Sequence, residues 1–413
     1  MKFTRALNAQ NLYRMTKFNW FAHTKRRLVI SPAEANVASR GFPIVEATDI
    51  IKPPPPPECD PSLLEGIIPP EPIKYNPTHP DWKEIPCLKY DSNDLLVLGL
   101  SQAQVVTKTL FIKNALPDKI EALAENPSEN IQNLLERIVY TSNIFDAIQV
   151  KLPKRKDPKR PAWVFPRDYG IPDVRKSRNM VVSMLHLCEL LSGPSISQQR
   201  QIIQNGLIKA FIEKDDEVVM FNSTIDFMIM AKNSLTPIDN PENFSEIALP
   251  DLYPLNSLAG LQKEHIYQIN DLYPVAAESP FRNIHTIFVY HDVEKVKNLS
   301  ELPVTQHQIE GRLLMKSFLA AVANAKQKYG GRVKDLSEPI TIQCIHINRG
   351  SFSFSVFQLN TMDIHGTNDK CNYWWSTPQI NLFEKALYEN GIPIMTGFNP
   401  DVFKYFLAFY KNM

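Results

Sequence analysis

Between Ile340 and Asn360 the chain reads ITIQCIHINRGSFSFSVFQLN, two apolar runs joined at Asn348-Arg349-Gly350. Ile, Val, Phe and Thr suit a pleated surface, and a short connector with a glycine free to turn left-handed suits a tight loop. The stretch therefore predicts a β-hairpin. Phe352, Phe354 and Val356 share one face with period two, while Phe357 and Leu359 fall on the other, so the second strand must be covered on both sides. Cover is available just upstream. From Thr305 to Tyr329, residues Ile309, Leu313, Leu314, Phe318, Ala321, Val322 and Ala325 form one broad helical face, and Gly330-Gly331 supplies a stop. A strand at 284–291, this helix and the two hairpin strands predict an α+β fold, a mixed or antiparallel sheet with packed helices. A doubly wound dinucleotide fold does not fit that order.

Elsewhere the body alternates helical and extended signals. Residues 94–115 read as helical, 118–125 as a short helical turn, and 131–148 as an amphipathic helix carrying Ile131, Leu134, Leu135, Ile138 and Val139 on one stripe. Further helices are predicted over 174–191, 196–203, 379–390 and 400–411. Between them, 207–213, 218–222 and 225–232 read as a meander of three short strands turning first at Lys214-Asp215-Asp216. Residues 233–283 are polar and broken by proline, hence long loops. Of the pair Trp374-Trp375, one ring is expected in the core and one free for a partner.

The amino-terminal third differs in kind. Residues 43–86 hold 13 of the chain's 33 prolines, including the run Pro53–Pro57. Proline fixes φ and removes a donor, so this stretch predicts an extended arm, with Tyr75, Trp82 and Ile67-Ile68 as anchors on a partner's grooves. The expected organisation is a basic targeting peptide or arm (1–33), a long proline-rich extended arm (34–93) and an α+β body (94–413), mainly helical over 94–203 and sheet with helices over 204–413.

Charge is uneven. The net formal charge is +1, yet residues 1–33 carry seven basic and no acidic residues, and 151–178 carry ten basic against three acidic. These segments sum to +14, leaving −13 on the remainder. An acid-poor, basic and potentially amphipathic start is the composition of a mitochondrial transit peptide, and a basic arm on RNA is the competing reading. Within 151–178, cations interleaved with Trp163, Phe165 and Tyr169 in a proline-stiffened loop suit structured RNA, the cations for phosphates and the rings for unpaired bases. The candidate RNA-binding residues are thus Lys25, Arg26, Arg27, Lys154, Arg155, Lys156, Lys159, Arg160, Arg175, Lys176 and Arg178. The last three sit on the first turn of a helix, where their charge opposes the dipole and calls for an anion.

Catalytic signals are sparse. No nucleotide-binding glycine loop, nucleophile elbow or HExxH zinc motif occurs in the chain, so no cofactor and no metal is expected. Cys344 and His346 share a strand face, and with them a mitochondrial matrix enzyme of unrecognised type is the alternative reading. An adaptor that offers its proline-rich segment to a signalling module is a third. Five widely spaced cysteines without a CxxC pair predict reduced thiols, and no apolar run approaches the roughly 20 residues of a membrane span.

Several stretches carry a resemblance. Thr107-Lys108-Thr109 with Leu116-Pro117-Asp118-Lys119, Phe357-Gln358-Leu359-Asn360-Thr361-Met362-Asp363, and Gly397-Phe398-Asn399-Pro400 leading into Phe403-Lys404-Tyr405-Phe406-Leu407-Ala408-Phe409-Tyr410 occur in the order of the mitochondrial large ribosomal subunit protein thirty-seven family. The chain resembles that family over about residues 95–413, most closely in the last hundred. The resemblance implies a non-catalytic structural constituent of the large subunit in the mitochondrial matrix, supporting mitochondrial translation. It implies contacts with large-subunit rRNA and other mitoribosomal proteins, above all the paralogue programmed cell death protein nine. The matched motifs are core and helix-end positions, so the RNA-contact residues rest on charge and aromatic content alone.

Overall fold

The computed structural model describes residues 16–17, 31–45 and 84–413, apart from 155–156, 158, 161, 239–247, 299–301, 332 and 366–369. The proline-rich run and most of the basic amino-terminal segment, Lys25, Arg26 and Arg27 included, lie outside the described residues. The chain divides into two units, 1–74 and 75–413. In the first, one short helix, α1 (Pro32–Ser39), is fixed by a capping box. Ser31 Oγ accepts from the Glu34 amide while the Glu34 carboxylate accepts from the Ser31 amide.

The second unit opens with β1 (Ile85–Asp91), α2 (Leu100–Thr107), β2 (Thr109–Lys113), α3 (Asp118–Leu123) and α4 (Glu129–Asn143). A small ribbon, β3 (Val150–Lys151) with β4 (Tyr169–Gly170), precedes α5 (Asp173–Ser192) and the single turn α6 (Pro194–Ser197). Then come β5 (Arg200–Lys214), β6 (Glu217–Ala231), β7 (Gln262–Ile266), β8 (Asn283–Tyr290) and the long α7 (Gln306–Tyr329). The central hairpin is β9 (Asp335–Asn348) and β10 (Ser351–Thr361), followed by β11 (Asn372–Ser376) and β12 (Ile380–Asn381). A second ribbon, β13 (Lys385–Glu389) with β14 (Ile392–Thr396), leads to α8 (Asp401–Lys411).

Ten of these strands form one sheet in the order β2-β11-β10-β9-β8-β6-β1-β7, with β5 also on β6 and β12 also on β10. The pairs β2/β11, β8/β9 and β1/β6 are parallel and the others antiparallel, so the sheet is mixed. Each face is buried. Ile342, Cys344, Phe357 and Leu359 join a core with α2 and α7, whereas Ile345, Ile347, Phe352, Phe354 and Val356 join a core with α3, α4, α5 and α8. The period-two split predicted for the hairpin is the split between these cores. Phe318 on α7 meets Phe357 at 6.1 Å between ring centroids, and Phe354 meets Phe409 on α8 at 5.3 Å. Each ring so buried contributes about 1.5–3 kcal/mol relative to exposure.

The helix α7 is buried on nearly all sides, because α2 crosses its outer face. The crossing is at backbone contact. A Cβ on Gly311 would lie 2.6 Å from the Gly99 carbonyl carbon, and one on Gly99 would lie 2.6 Å from His307. Thr305 caps the helix, and Gly330 ends it at φ +93°, ψ 160°, a conformation that glycine alone adopts readily.

Several expectations fail for identifiable reasons. Residues 94–115 are not one helix: Lys108, left-handed at φ +50°, ends α2, and the next residues form β2. Residues 196–203 contain only the turn α6 before β5 begins, and the three predicted short strands are two long ones, β5 and β6. The 379–390 helix is absent, replaced by β12 and β13. Asn390 and Gly391, both at positive φ (+51° and +82°), are the two-residue turn of the β13–β14 ribbon, not a helix stop. Trp374 and Trp375 are both buried, one in each core, since β11 is covered on both faces. At the central turn the left-handed residue is Arg349 (φ +56°) rather than Gly350. Gly350 is needed for a different reason: a Cβ there would lie 2.7 Å from the Phe383 ring.

Candidate nucleic-acid interface

The basic segment leaves the body after α4 and returns into α5, and its base is pinned. Asp146 accepts hydrogen bonds from Arg175, its Nη2 at 3.1 Å, and from Asn179 Nδ2 at 2.8 Å. The guanidinium holds the Asp146 carboxyl down to about 2, so the pair is ionised at neutral pH. Higher up, β3 and β4 pair Val150 with Gly170 and Lys151 with Tyr169, and the Leu152 amide donates to the Asp168 carbonyl at 2.8 Å. Gly170 admits the Leu152 side chain where a Cβ would clash at 2.8 Å.

Above that ribbon the chain is exposed. Asp157 organises a turn by accepting the Lys159 amide on its carboxylate at 2.9 Å and the Arg160 amide on its carbonyl at 3.0 Å. The Arg160 guanidinium then lies 5.0 Å from the centroid of the Trp163 ring, and Phe165 sits 6.2 Å away on the tilt. Trp163 nevertheless remains 62% exposed and Val164 80%. Lys154, Lys159 and Arg160 are exposed, while Arg155 and Lys156 lie outside the described residues. The result is an exposed aromatic ring backed by one cation, in a basic loop held on a fixed stem.

The three cations near the start of α5 diverge. Arg175 is turned to Asp146, and Lys176 lies 3.4 Å from Asp173. Arg178 bonds Gln204 and overlies the Phe227 ring at 5.8 Å. Asp173, in the first turn, favours the helix dipole that the cations oppose. Two cations that the sequence reading passed over, Arg349 and Lys385, stand beside Lys176 along a cleft of about 680 Å³. Arg349 occupies the tip of the central hairpin, and its Nε donates to Asp173 Oδ2 at 2.8 Å. Its position between Asn348 and Gly350 was the available signal, but only the fold brings it to the end of the basic loop.

The other candidate chemistry lies in the core. Cys344 and His346 are buried on β9, where burial raises the thiol to about 11 and lowers the imidazole to about 3. A thiol so shifted is protonated at neutral pH and is not a nucleophile. Among the described residues no group of three metal-ligating side chains comes together, and no helix is long and apolar enough to cross a membrane.

Residues 309–413, from the first turn of α7 through the hairpin to α8, match the family described as mitochondrial 28S ribosomal protein S30 (PDCD9). Over this end of the fold the chain is therefore similar to a class of mitochondrial ribosomal proteins. Over most of its length it is similar to large ribosomal subunit protein mL37. It is 26% identical to the mL37 of Rattus norvegicus over 369 residues, covering 85% of this chain and 82% of the relative. It is 26% identical to that of Bos taurus, covering 81% and 77%, and 27% identical to that of Gallus gallus, covering 80% and 75%. The matched family carries a 28S name and the relatives large-subunit names; the relatives span three quarters or more of both chains. The relatives named here are ribosomal proteins.

Proposed function

We propose that the chain is a structural constituent of the mitochondrial large ribosomal subunit, working in the matrix and supporting translation by binding rRNA and neighbouring ribosomal proteins. The observation that carries the RNA contact is the pinned loop at 151–172, where Arg160 backs an exposed Trp163 and Lys154 and Lys159 are exposed in the same loop. Stacking on such a ring contributes about 1–3 kcal/mol per base, and the surrounding cations supply a salt-dependent share. Residues 1–33 serve as a transit peptide or RNA-bound arm, and 34–84 as a proline-rich arm over neighbouring proteins; residues 85–91, grouped with the arm by composition, are β1 of the sheet and belong to the body. That body packs on other ribosomal proteins, with programmed cell death protein nine the expected paralogous partner. The acidic balance outside the two basic segments favours such protein contacts over a wholly RNA-bound surface.

Crosslinking within purified large subunits tests this reading. Lys154, Arg155, Lys156, Lys159 and Arg160 changed together to Glu are expected to abolish rRNA crosslinks from this loop. Undiminished crosslinks would mean that the loop faces protein or solvent.

A further inference from the structure

The hairpin tip combines three features. Arg349 takes φ +56° at the first position of the two-residue β9–β10 turn, a position that glycine or asparagine usually fills. Its side chain is 67% exposed, and only Nε is bonded among the described residues, which leaves the donors of both terminal nitrogens unspent. Beside it, the Asn348 side chain makes no hydrogen bond among the described residues, and Asn381 uses only its oxygen, toward Ser351.

The cleft they line also contains Phe383, Lys176, Lys385 and His291. The His291 Nδ1 atom is buried and unpartnered, with the His346 ring behind it at 6.2 Å between centroids. Burial lowers the basicity of His291, which favours the neutral ring in the wall of the cleft. Three cations against Asp173 and Glu384 leave a small positive excess, too little for a duplex but enough for one phosphate. Amide side chains match the donor and acceptor pattern of a base edge, and a ring offers a face. A volume near 680 Å³ is within the range of small-ligand sites.

We infer that this cleft binds a single unpaired nucleotide, with Arg349 and Lys385 on its phosphate and Asn348 and Asn381 on its base and ribose. The inference deepens the rRNA reading and rests on it for the nucleotide's source, an unpaired residue of an RNA strand. A free mononucleotide has the same chemistry, and the test separates the two.

The test uses the full-length protein, a labelled single-stranded RNA octamer of mixed sequence, and AMP. Arg349→Gly with Lys385→Ala is expected to lower octamer affinity at least tenfold. Its melting temperature should stay within a few degrees of the parent's, since glycine's ease in the left-handed turn offsets the lost surface pair with Asp173. Octamer binding that AMP does not displace identifies the strand as the source. AMP binding lost in the double variant, without octamer binding, identifies the free nucleotide, supports the cleft and refutes the rRNA reading. Affinity within twofold of the parent for both probes overturns the inference. If Lys154→Glu, Lys159→Glu and Arg160→Glu together still weaken octamer binding in that case, the rRNA reading survives it; if they do not, both fall.

Discussion

Arg349 Nε donates to Asp173 Oδ2 at 2.8 Å, joining the tip of the central hairpin to the first turn of the helix that follows the basic loop. The best-buried strands of the protein thereby set the position of its most cationic segment. Asp173 also lies 3.4 Å from Lys176, so one carboxylate holds two cations in check.

Asp173→Asn tests that restraint. Both ion pairs are exposed, so the loss of stability is expected to stay within about 1 kcal/mol, the range for surface pairs and helix-dipole terms. With Arg349 and Lys176 released, affinity for single-stranded RNA should rise, and the dependence of log K on log salt should steepen by up to about one. Fluorescence anisotropy across a salt series measures both; weaker binding would mean that the carboxylate orders the cations more than it neutralises them.

Backbone contact between α2 and α7 makes a sharper stability prediction. Gly311→Ala puts a methyl group against the Gly99 backbone, where nothing flexible can give way. Overpacking of this kind costs about 1–3 kcal/mol, and urea denaturation should place the loss at or above the top of that range. An unchanged midpoint would show that the helices slide apart without penalty.

The carboxy-terminal helix is held by a buried polar network as well as by its rings. Gln343 Nε2 donates to Thr286 Oγ1 and to the Phe409 carbonyl, each at 2.8 Å, and Gln343 Oε1 accepts from Asn412 Nδ2 at 2.8 Å. Gln343→Leu leaves Asn412 Nδ2 and the Phe409 carbonyl without that partner. Unsatisfied buried groups cost about 1–3 kcal/mol each, so a loss of at least about 2 kcal/mol is expected. Protection of the α8 amides from hydrogen exchange should fall with it.

Acid should destabilise the fold earlier than carboxylate titration alone predicts. Burial lowers His285 and His346 to about 3 from an ordinary 6.5. Between those values the unfolded chain binds more protons than the folded one, so stability is retained above pH 6.5 and declines as pH falls toward 3. At pH 5 each histidine costs up to about 2 kcal/mol. His346→Leu removes one of these contributions, and urea titrations at pH 7.5 and pH 5 should show a pH dependence smaller than the parent's by up to about 2 kcal/mol.

Legibility in the sequence followed the strength of local pattern. The hairpin, α5, α7 and α8 were predicted within a few residues, because long periodic runs leave one choice of face. The missed elements turn on single residues whose meaning is set by tertiary context: Lys108 in a left-handed helix end, and Asn390-Gly391 in a hairpin turn. A pattern of two adjacent tryptophans cannot tell that β11 is covered on both faces. At the candidate interface, cations and rings close in sequence were visible. The counter-charge on Arg175 was not, since Asp146 lies 29 positions away, and neither was Arg349, which reaches Asp173 across 176.

The central claim is membership of the mitochondrial large subunit, and sedimentation tests it most directly. Mitochondrial lysate washed at high salt and run through a sucrose gradient is predicted to carry the chain in the large-subunit fractions. Recovery only at the top of the gradient, free of large subunits, would contradict the account.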